Sequence, residues 1–370
     1  MKFICDKKLL TESINIVSKA INTTSTMDIL KGIKVDVKDS NITFTGNDLD
    51  LSIQSTFDAQ VREEGSLILD SRIFGDIVRK LPDGDVEIFT TEKNEIQINC
   101  KNTKFNILYL SSEGYPDVNN INDGENFKIY SRDLKELIKN TIFAISNNET
   151  RPVLTGSKFE VNKSNLKVVS IDGTRLAIRN QIIPETDLDI SFVVPGRVLN
   201  ELLKILKDDE TIVEISVENN IVKFTYDTFT IITKLLEGEF FDYTKAIPQS
   251  FELTTIIDVK KFTDLIERAA IIENSVNSKE AKSSVIINII NSNVTVECMS
   301  QKGFFNESLE IEQHGNNLRI GMDSKIMLDA LKNIEYENAQ FLFTTEISPC
   351  VIKPLDGESF LYMVLPKRLN

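Results

Sequence analysis

Few residues in this sequence have the types and spacing that chemistry at a site requires, and the acidic ones come first. Asp48 and Asp50 follow a predicted strand, and Asp172 follows the equivalent strand 124 residues after Asp48. Paired carboxylates can serve as a general acid and a general base. Asp also starts tight turns by accepting backbone hydrogen bonds, and Gly173 directly after Asp172 favours that interpretation. We therefore predict turns at these positions and no active site.

The cysteines and the histidine are the next candidates. Cys5, Cys100, Cys298 and Cys350 are far apart, without the spacing of a metal site or a redox motif, and each lies in or beside a strand-like run. We interpret them as buried free thiols. The single histidine, His314, precedes Gly-Asn-Asn and is predicted to lie in a solvated turn. The sequence has no Gly-rich phosphate loop, His-based triad or Cys/His cluster, so it indicates no cofactor and no metal.

Basic residues recur in one pattern on three predicted amphipathic helices, at 70–81, 196–207 and 323–333. Each helix has an apolar stripe at helical spacing and, opposite it, basic, acidic and basic residues at i, i+4 and i+7. In the second helix the two basic residues are Arg197 and Lys204. Three helices in the same register indicate an internal repeat.

The repeat is about 125 residues long. A second helix precedes each striped one, at 6–21, 131–145 and 258–272, and its apolar positions, such as Leu9, Leu134 and Phe262, are offset by 125 and 128 residues. A short strand enters each of these helices, and the third such strand is predicted at 250–254. Alternating strands joined by short turns indicate antiparallel sheets with helices packed on one face. The sequence thus predicts an α+β fold of three similar domains.

Two matching connectors divide the repeats. Glu113–Asp117 ends the first repeat and Glu237–Asp242 ends the second, 124 residues later. The predicted domains are therefore 1–124, 125–248 and 249–370, each large enough to hold its own core.

Charge is unevenly distributed along the chain. The net charge is −14, but the six predicted helices, with the fifth counted to residue 273, carry +4 and the remainder −18. A ring or arc of these repeats would line its helical side with Lys and Arg, which bind phosphates without reading bases. For any one helix the alternative is a solvated face with i,i+4 ion pairs. The helices of the third repeat are nearly neutral, so we expect them to hold DNA least.

With these features, the chain resembles the bacterial sliding clamps, the beta subunits of DNA polymerase III, over its whole length. The segments that carry the resemblance are Met1-Lys-Phe, Gly46-Asn-Asp48, Arg151-Pro-Val-Leu-Thr-Gly156, Ser170-Ile-Asp-Gly-Thr-Arg-Leu-Ala177, Gly238-Glu-Phe-Phe-Asp-Tyr243 and Tyr362-Met-Val-Leu-Pro-Lys-Arg-Leu369. The resemblance implies a non-catalytic processivity factor. It would form a head-to-tail homodimeric ring of six domains that encircles duplex DNA and tethers the replicative polymerase.

The resemblance and the charge count together assign two sets of residues. The DNA-facing set is Lys7, Lys8, Lys19, Arg72, Arg79, Lys80, Arg132, Lys135, Lys139, Arg197, Lys204, Lys207, Lys260 and Lys325. The family's dimer contact maps onto Ile77, Phe105 and Ile107 of the first domain against Ile271 and Ile272 of the third. These five residues are apolar, as the core of an interface requires, although an ordinary place in the domain core is the alternative.

The resemblance also implies a hydrophobic pocket that receives short peptides from the replicative polymerase, the clamp loader and repair proteins. Its residues would be Leu154, Ile171, Gly173, Thr174, Arg175, Leu176, Phe241, Lys245, Ala246, Asp323, Ile326, Ile347, Pro349, Met363, Leu365, Pro366, Lys367 and Arg368. Met and aliphatic side chains make an adaptable groove, and Arg175 can hold a peptide carboxylate or carbonyl. The family often has other residues at Thr174, Phe241 and Ile326, which affects the specificity of the pocket.

The sequence also bears on the location of the protein and on its alternative functions. No apolar run approaches the length that spans a bilayer and no signal-peptide core is present, so we expect a cytoplasmic protein that does not bind membranes. The alternative function is a three-repeat protein-interaction scaffold that never encircles DNA. An enzyme with an unrecognised site is a third hypothesis, and the missing catalytic constellations disfavour it.

Overall fold

The structure is a computed structural model that describes residues 1–118, 121, 124–148, 150–275 and 284–369. Its first elements are β1 (Lys2–Asp6), α1 (Lys7–Val17), β2 (Gly32–Lys38), β3 (Asn41–Asn47), β4 (Leu51–Asp58), β5 (Gln60–Glu63), β6 (Gly65–Asp70), α2 (Ser71–Lys80), β7 (Asp85–Thr90), β8 (Glu95–Cys100), β9 (Thr103–Leu108), β10 (Leu110–Ser111) and β11 (Glu125–Tyr130). The next are α3 (Ser131–Lys139), β12 (Gly156–Asn162), β13 (Asn165–Ile171), β14 (Arg175–Ile182), β15 (Asp189–Pro195), α4 (Gly196–Ile205), β16 (Ile212–Glu218), β17 (Ile221–Tyr226) and β18 (Phe229–Lys234). The last are β19 (Leu253–Asp258), α5 (Val259–Glu273), β20 (Val285–Ile290), β21 (Asn293–Ser300), β22 (Gly303–Glu310), β23 (Glu312–Gly315), β24 (Leu318–Met322), α6 (Ser324–Leu331), β25 (Asn338–Phe343), β26 (Cys350–Lys353) and β27 (Phe360–Val364).

An aspartate starts several of these helices. Asp6, Asp70, Asp258 and Asp323 each precede a helix and accept hydrogen bonds from backbone N–H groups of its first turn. Such caps satisfy donors that have no partner inside the helix. The predicted strand at 250–254 was wrong in its bounds, because β19 begins at Leu253 and continues to the capping Asp258.

The described chain forms two compact units. The first unit combines Met1–Arg132 with Glu201–Leu235, and the second combines Asp133–Asn200 with Leu236–Asn370. Each unit therefore takes elements from more than one sequence repeat. The predicted domain boundaries at 124 and 248 divide the repeats of the sequence and stay a prediction.

The first unit contains two antiparallel sheets. Their strand orders are β5-β1-β7-β8-β9 and β10-β6-β2-β3-β4-β18-β17-β16-β11. The pairing of β4 with β18 joins the first repeat to the second, with Leu51 opposite Thr233. Helices α1 and α2 pack together and bury apolar residues such as Ile14 and Phe74.

The second unit repeats this arrangement. Its strand orders are β15-β12-β13-β14-β27-β26-β25-β19-β23 and β22-β21-β20-β24. The pairing of β14 with β27 joins the second repeat to the third, with Arg175 opposite Val364. Helix α5 packs on β21 and α6, and Phe262 meets Phe341 edge to face at 5.3 Å between ring centroids. Over the described part of the chain, no helix is long and apolar enough to cross a membrane.

Candidate functional site

Asp48 and Asp172 form turns, as predicted. The Asp172 carboxylate accepts hydrogen bonds from the N–H groups of Thr174 (2.8 Å) and Arg175 (3.1 Å). The Asp48 carboxylate does the same for Asp50 (3.2 Å) and Leu51 (2.9 Å). Both carboxylates therefore shape the backbone at the start of a strand, which is a structural role.

The cysteines are buried free thiols, which confirms that prediction. Burial raises the pKa of Cys5 to about 12 and that of Cys298 to about 11, so both stay protonated at neutral pH. His314 is exposed, but it lies in β23 opposite Thr254, so its predicted placement in a turn was wrong. The described residues include no group of three or more His, Cys, Asp or Glu side chains that could hold a metal.

The predicted DNA-facing residues all lie on the α-helices or in the turns that follow them. Lys7, Lys19 and Lys135 are partly buried, and the other eleven are exposed. Their ion pairs, of 2.6–3.4 Å, include Lys7–Asp83, Lys19–Glu201, Arg79–Asp76, Arg132–Glu210, Lys139–Glu335 and Lys204–Glu201. Exposed pairs of this kind are worth only about 0–1 kcal/mol, so a phosphate could replace the acidic partner at little cost.

One of these contacts brings two sequence repeats together inside the first unit. Glu201 accepts hydrogen bonds from Lys19 at 3.2 Å and from Lys204 at 2.8 Å. Burial alone would raise the pKa of the Glu201 carboxyl, but the two ammonium groups hold it below its usual value. The acidic member of the striped helix thus stays ionised and holds two predicted DNA-facing lysines side by side.

The predicted dimer residues lie near two strand edges, one in each unit. Among the described strands, β9 and β22 each have a neighbour on one side only. Phe105 on β9 and Ile271 on α5 are exposed, whereas Ile77, Ile107 and Ile272 are partly buried. An edge strand offers unpaired backbone groups to a second chain.

Sequence reasoning missed the most exposed apolar residues near these edges. Leu108, the last residue of β9, is 71% exposed, and Ile73 on α2 is 51% exposed. Phe304 on β22 is 57% exposed, and Met299, opposite it on β21, is 70% exposed. The adjacent Phe304 and Phe305 were a signal, because an alternating strand buries only one of two neighbouring aromatic residues. Which strand becomes an edge depends on sheet order, which the sequence does not state.

The predicted peptide pocket lies on the nine-stranded sheet of the second unit. Its floor is a cluster that includes the buried Ile171, Leu176 and Met363, with Leu154 and Ala246 packed against it. Leu176 and Met363 are directly opposite each other on β14 and β27. The sheet therefore brings together predicted residues that lie almost 190 positions apart.

The other predicted pocket residues are at or near the surface. Exposed ones are Gly173, Thr174, Phe241, Lys245, Ile347, Leu365 and Arg368, and partly buried ones are Arg175, Asp323, Ile326, Pro349, Pro366 and Lys367. Lys245 pairs with Asp242 at 2.8 Å. The pocket assignment as a whole stays a prediction.

Arg175 is held firmly in place. Its Nε donates to Asp172 at 2.8 Å, its Nη1 donates to Asp329, and its guanidinium lies 5.7 Å from the centroid of the Phe143 ring. A ligand carboxylate would have to compete with two carboxylates for this cation. A neutral peptide carbonyl needs only one free N–H group, so it is the better ligand for Arg175.

The C-terminal segment is attached beside the same floor. The Leu365 N–H donates to the Thr174 carbonyl at 2.9 Å, and the Lys367 N–H donates to the Gly321 carbonyl at 2.8 Å. The Lys367 ammonium lies between Asp323 (2.8 Å) and Glu273 (3.0 Å). Two predicted pocket residues, Asp323 and Lys367, thus hold the segment that carries Leu365.

The repeated helices, the sheets that join neighbouring repeats and the open strand edges define a DNA-clamp fold. Three family models match the chain, for the N-terminal domain (residues 1–119), central domain (128–242) and C-terminal domain (244–368) of the DNA polymerase III beta subunit.

Full-length relatives and solved structures agree with these matches. The Beta sliding clamps of Bacillus subtilis (strain 168) and Halalkalibacterium halodurans are 34% and 32% identical, over 100% of both chains in each case. The crystal structure of the Bacillus subtilis DNA polymerase sliding clamp covers 100% of both chains, with a TM-score of 0.95 and 32% identity. That of a putative DNA polymerase III beta subunit from Eubacterium rectale also covers both chains fully, with a TM-score of 0.94 and 34% identity.

This chain therefore belongs to the DNA polymerase III beta subunit family, the beta sliding clamps. The membership confirms the predicted fold class and the predicted function of a DNA sliding clamp in replication. It also confirms a non-catalytic processivity factor in place of an enzyme.

Proposed function

We propose that this clamp works as a head-to-tail homodimer that closes a ring around duplex DNA in the cytoplasm. The observation that carries the proposal is the exposed apolar residues at two of the edge strands, Leu108 on β9 in the first unit and Phe304 on β22 in the second. Pairing β9 of one copy with β22 of another uses two different surfaces, and two such contacts close a dimer. The exposed Leu108 and Phe304 would supply the apolar core of each contact.

The exposed lysines and arginines of the helices would face the DNA. Their ion pairs with acidic neighbours, such as Arg79 with Asp76 at 2.6 Å, keep each side chain near its helix. Contacts of this strength exchange readily, so the ring can slide, and the contacts do not depend on base sequence. The affinity for phosphate should fall steeply with added salt.

The sheet of the second unit would hold the partner proteins. We infer that short peptides of the replicative polymerase, the clamp loader and repair proteins dock over Leu176 and Met363, beside the C-terminal segment. A peptide carbonyl would accept a hydrogen bond from Arg175, and apolar peptide side chains would cover the floor.

Retention on DNA tests the ring. The protein is loaded onto nicked circular DNA by a clamp loader, the same DNA is then linearised, and the bound fraction is measured on both forms. We expect retention on the circle and rapid loss from the linear form, because only a closed ring is held by topology. Equal retention on both forms would instead favour the three-repeat scaffold.

A pair of variants tests the interface. Leu108→Asp places a charge in the proposed contact, so light scattering should show a monomer where the unchanged chain gives a dimer. Ile182→Asp is the matched control, since Ile182 is 80% exposed and lies at the end of β14, away from both edges. A dimeric Leu108→Asp protein would refute the proposed contact.

A further inference from the structure

The first unit contains a cavity that none of the proposed functions uses. It has a volume of about 300 Å³ and is lined by Leu49, Leu51 and Ile232, with Asp50, Asp117 and Lys234 at its polar side. This volume lies at the lower end of the range for ligand sites and suits one or two side chains of a peptide.

The cavity occupies the place in the first unit that the predicted peptide pocket occupies in the second. The turns that precede β4 and β14 have the same backbone, with Leu49 at φ +80° and Gly173 at φ +90°. Each turn leads into a strand that pairs with a strand of the next repeat, with Leu51 opposite Thr233 and Arg175 opposite Val364. The turn and the paired strands that form the predicted pocket in the second unit therefore have counterparts in the first unit.

Leu49 is an unusual residue for this turn. Glycine adopts a left-handed backbone without steric strain, whereas a residue with a bulky side chain is strained there. The Leu49 side chain is 49% exposed, so full burial in the core does not compensate for the strain. Strained residues are often retained where they serve a site, and here the side chain forms one wall of the cavity.

The two units differ in the charge beside the turn. The second unit presents Thr174 and Arg175, whereas the first presents Asp50 and, from the connector, Asp117. Asp50 pairs with Lys234 at 3.0 Å. The Asp117 side chain is exposed and has no hydrogen bond or ion pair to any residue that the structure describes. Two carboxylates against one ammonium favour a ligand that brings a positive charge.

We propose that this cavity is a second peptide-docking pocket, which takes a partner segment with an aliphatic side chain next to a Lys or Arg. The aliphatic group would lie on Leu49, Leu51 and Ile232, and the cation would pair with Asp117. The pocket goes beyond the ring function, and the comparison between the units rests on the peptide pocket proposed for the second unit. A clamp with both pockets could hold two segments of different charge on one chain.

Methyl NMR on the intact dimer tests the proposal. The probes are two capped tetrapeptides, acetyl-Ala-Leu-Lys-Ala-amide and acetyl-Ala-Leu-Glu-Ala-amide. We expect the lysine peptide to shift the methyl signals of Leu49, Leu51 and Ile232 in a saturable manner, and the glutamate peptide to bind at least about tenfold more weakly. No shift at these methyls, or equal shifts with both peptides, would overturn the proposal.

Variants separate the cavity from general effects of charge. Asp117→Arg should weaken the lysine peptide at least about tenfold, and Asp117→Asn, which keeps the side-chain size, guards against misfolding. Asp58→Arg makes the same charge change at the exposed Asp58, at the far end of β4, and should leave binding unchanged. Unchanged affinity in both Asp117 variants would refute the charge assignment. Shifts that depend on protein concentration without peptide would identify a second copy as the occupant and refute the proposal.

DNA retention of the Asp117→Asn protein keeps the two proposals apart. We expect retention equal to that of the unchanged chain, because Asp117 belongs to neither strand edge and to no helix. Failure of retention in the unchanged chain would refute the ring and leave the peptide result standing.

Discussion

The turn at residues 47–51 of the first unit and the turn at 171–175 of the second share a backbone and differ in chemistry. In both, an aspartate accepts two backbone hydrogen bonds and the next residue is left-handed. In the second unit this residue is Gly173, followed by Thr174 and Arg175, whereas in the first it is Leu49, followed by Asp50 and Leu51. The two repeats thus share the local backbone geometry of the turn, but the side chains that the turn presents differ, and these side chains decide what each site can bind.

The largest expected difference concerns the residue after the turn. Leu176 is fully buried in the floor of the second unit, and its counterpart 124 residues earlier is Ser52. Leu176→Ala should lower the free energy of unfolding by about 2–5 kcal/mol through lost burial and a cavity. Ser52→Ala removes one hydrogen bond, of 3.3 Å to the Gly46 carbonyl, and should cost only about 0.5–1.5 kcal/mol. Hydrogen exchange of β14 and β4 measures both, and equal losses would contradict the comparison.

The next largest expected effect on the free energy of unfolding comes from substituting Arg175. Arg175→Met leaves the carboxylates of Asp172 and Asp329 near each other without their cation, which should cost about 1–3 kcal/mol. Leu51→Met at the equivalent position keeps volume and polarity and should cost less than about 1.5 kcal/mol. Urea unfolding followed separately in each unit measures both. A smaller loss for Arg175→Met than for Leu51→Met would show that Arg175 does not stabilise its turn.

Exchanging the left-handed residues should have opposite effects. Gly173→Ala should destabilise the second unit by about 1–2 kcal/mol, because a Cβ there meets no atom within 4 Å and only the backbone strain remains. Leu49→Gly relieves the same strain and should stabilise the first unit by up to about 1 kcal/mol, reduced by the entropy of glycine. Thermal unfolding of both variants measures the signs. If both variants lose stability, the packing of the Leu49 side chain contributes more to stability than the backbone strain removes.

The smallest effect is a pH dependence confined to the C-terminal segment of the second unit. Burial alone would raise the pKa of Asp323, but the Lys367 ammonium and backbone N–H groups hold it below its usual value. This contribution to stability is complete above the unfolded pKa of about 3.9 and is lost as the pH falls through the lower folded value.

Lys367 sets the other limit of that pH range. Burial lowers its pKa, but Asp323 and Glu273 raise it above the usual value, so its contribution is lost only at strongly alkaline pH. The exchange rate of the Lys367 amide hydrogen, which is bonded to Gly321, measures the attachment. A rate with no acid-dependent rise beyond that of the amides of β4 would contradict the prediction.

Much of the fold could be predicted because its signals are local. Apolar periodicity placed the six α-helices that the structure describes, and four of them begin after an aspartate cap. The candidate site was harder to predict. Arg175 was assigned to the pocket, but its fixed position depends on Asp329, a residue 154 positions away on helix α6. Leu108 and Met299 were missed because exposure at a sheet edge is set by strand order and not by residue type.

The sequence by itself determined the repeat, the two helices of each repeat, the turns and the concentration of basic residues on the helices, because each follows from contacts among near neighbours. Only the tertiary structure decided that β4 pairs with β18 and β14 with β27, that Lys19 reaches Glu201, and that β9 and β22 lie at the edges of their sheets. Such contacts join residues more than a hundred positions apart. They form only after the chain has closed on itself, and many strands with similar alternation compete for each edge.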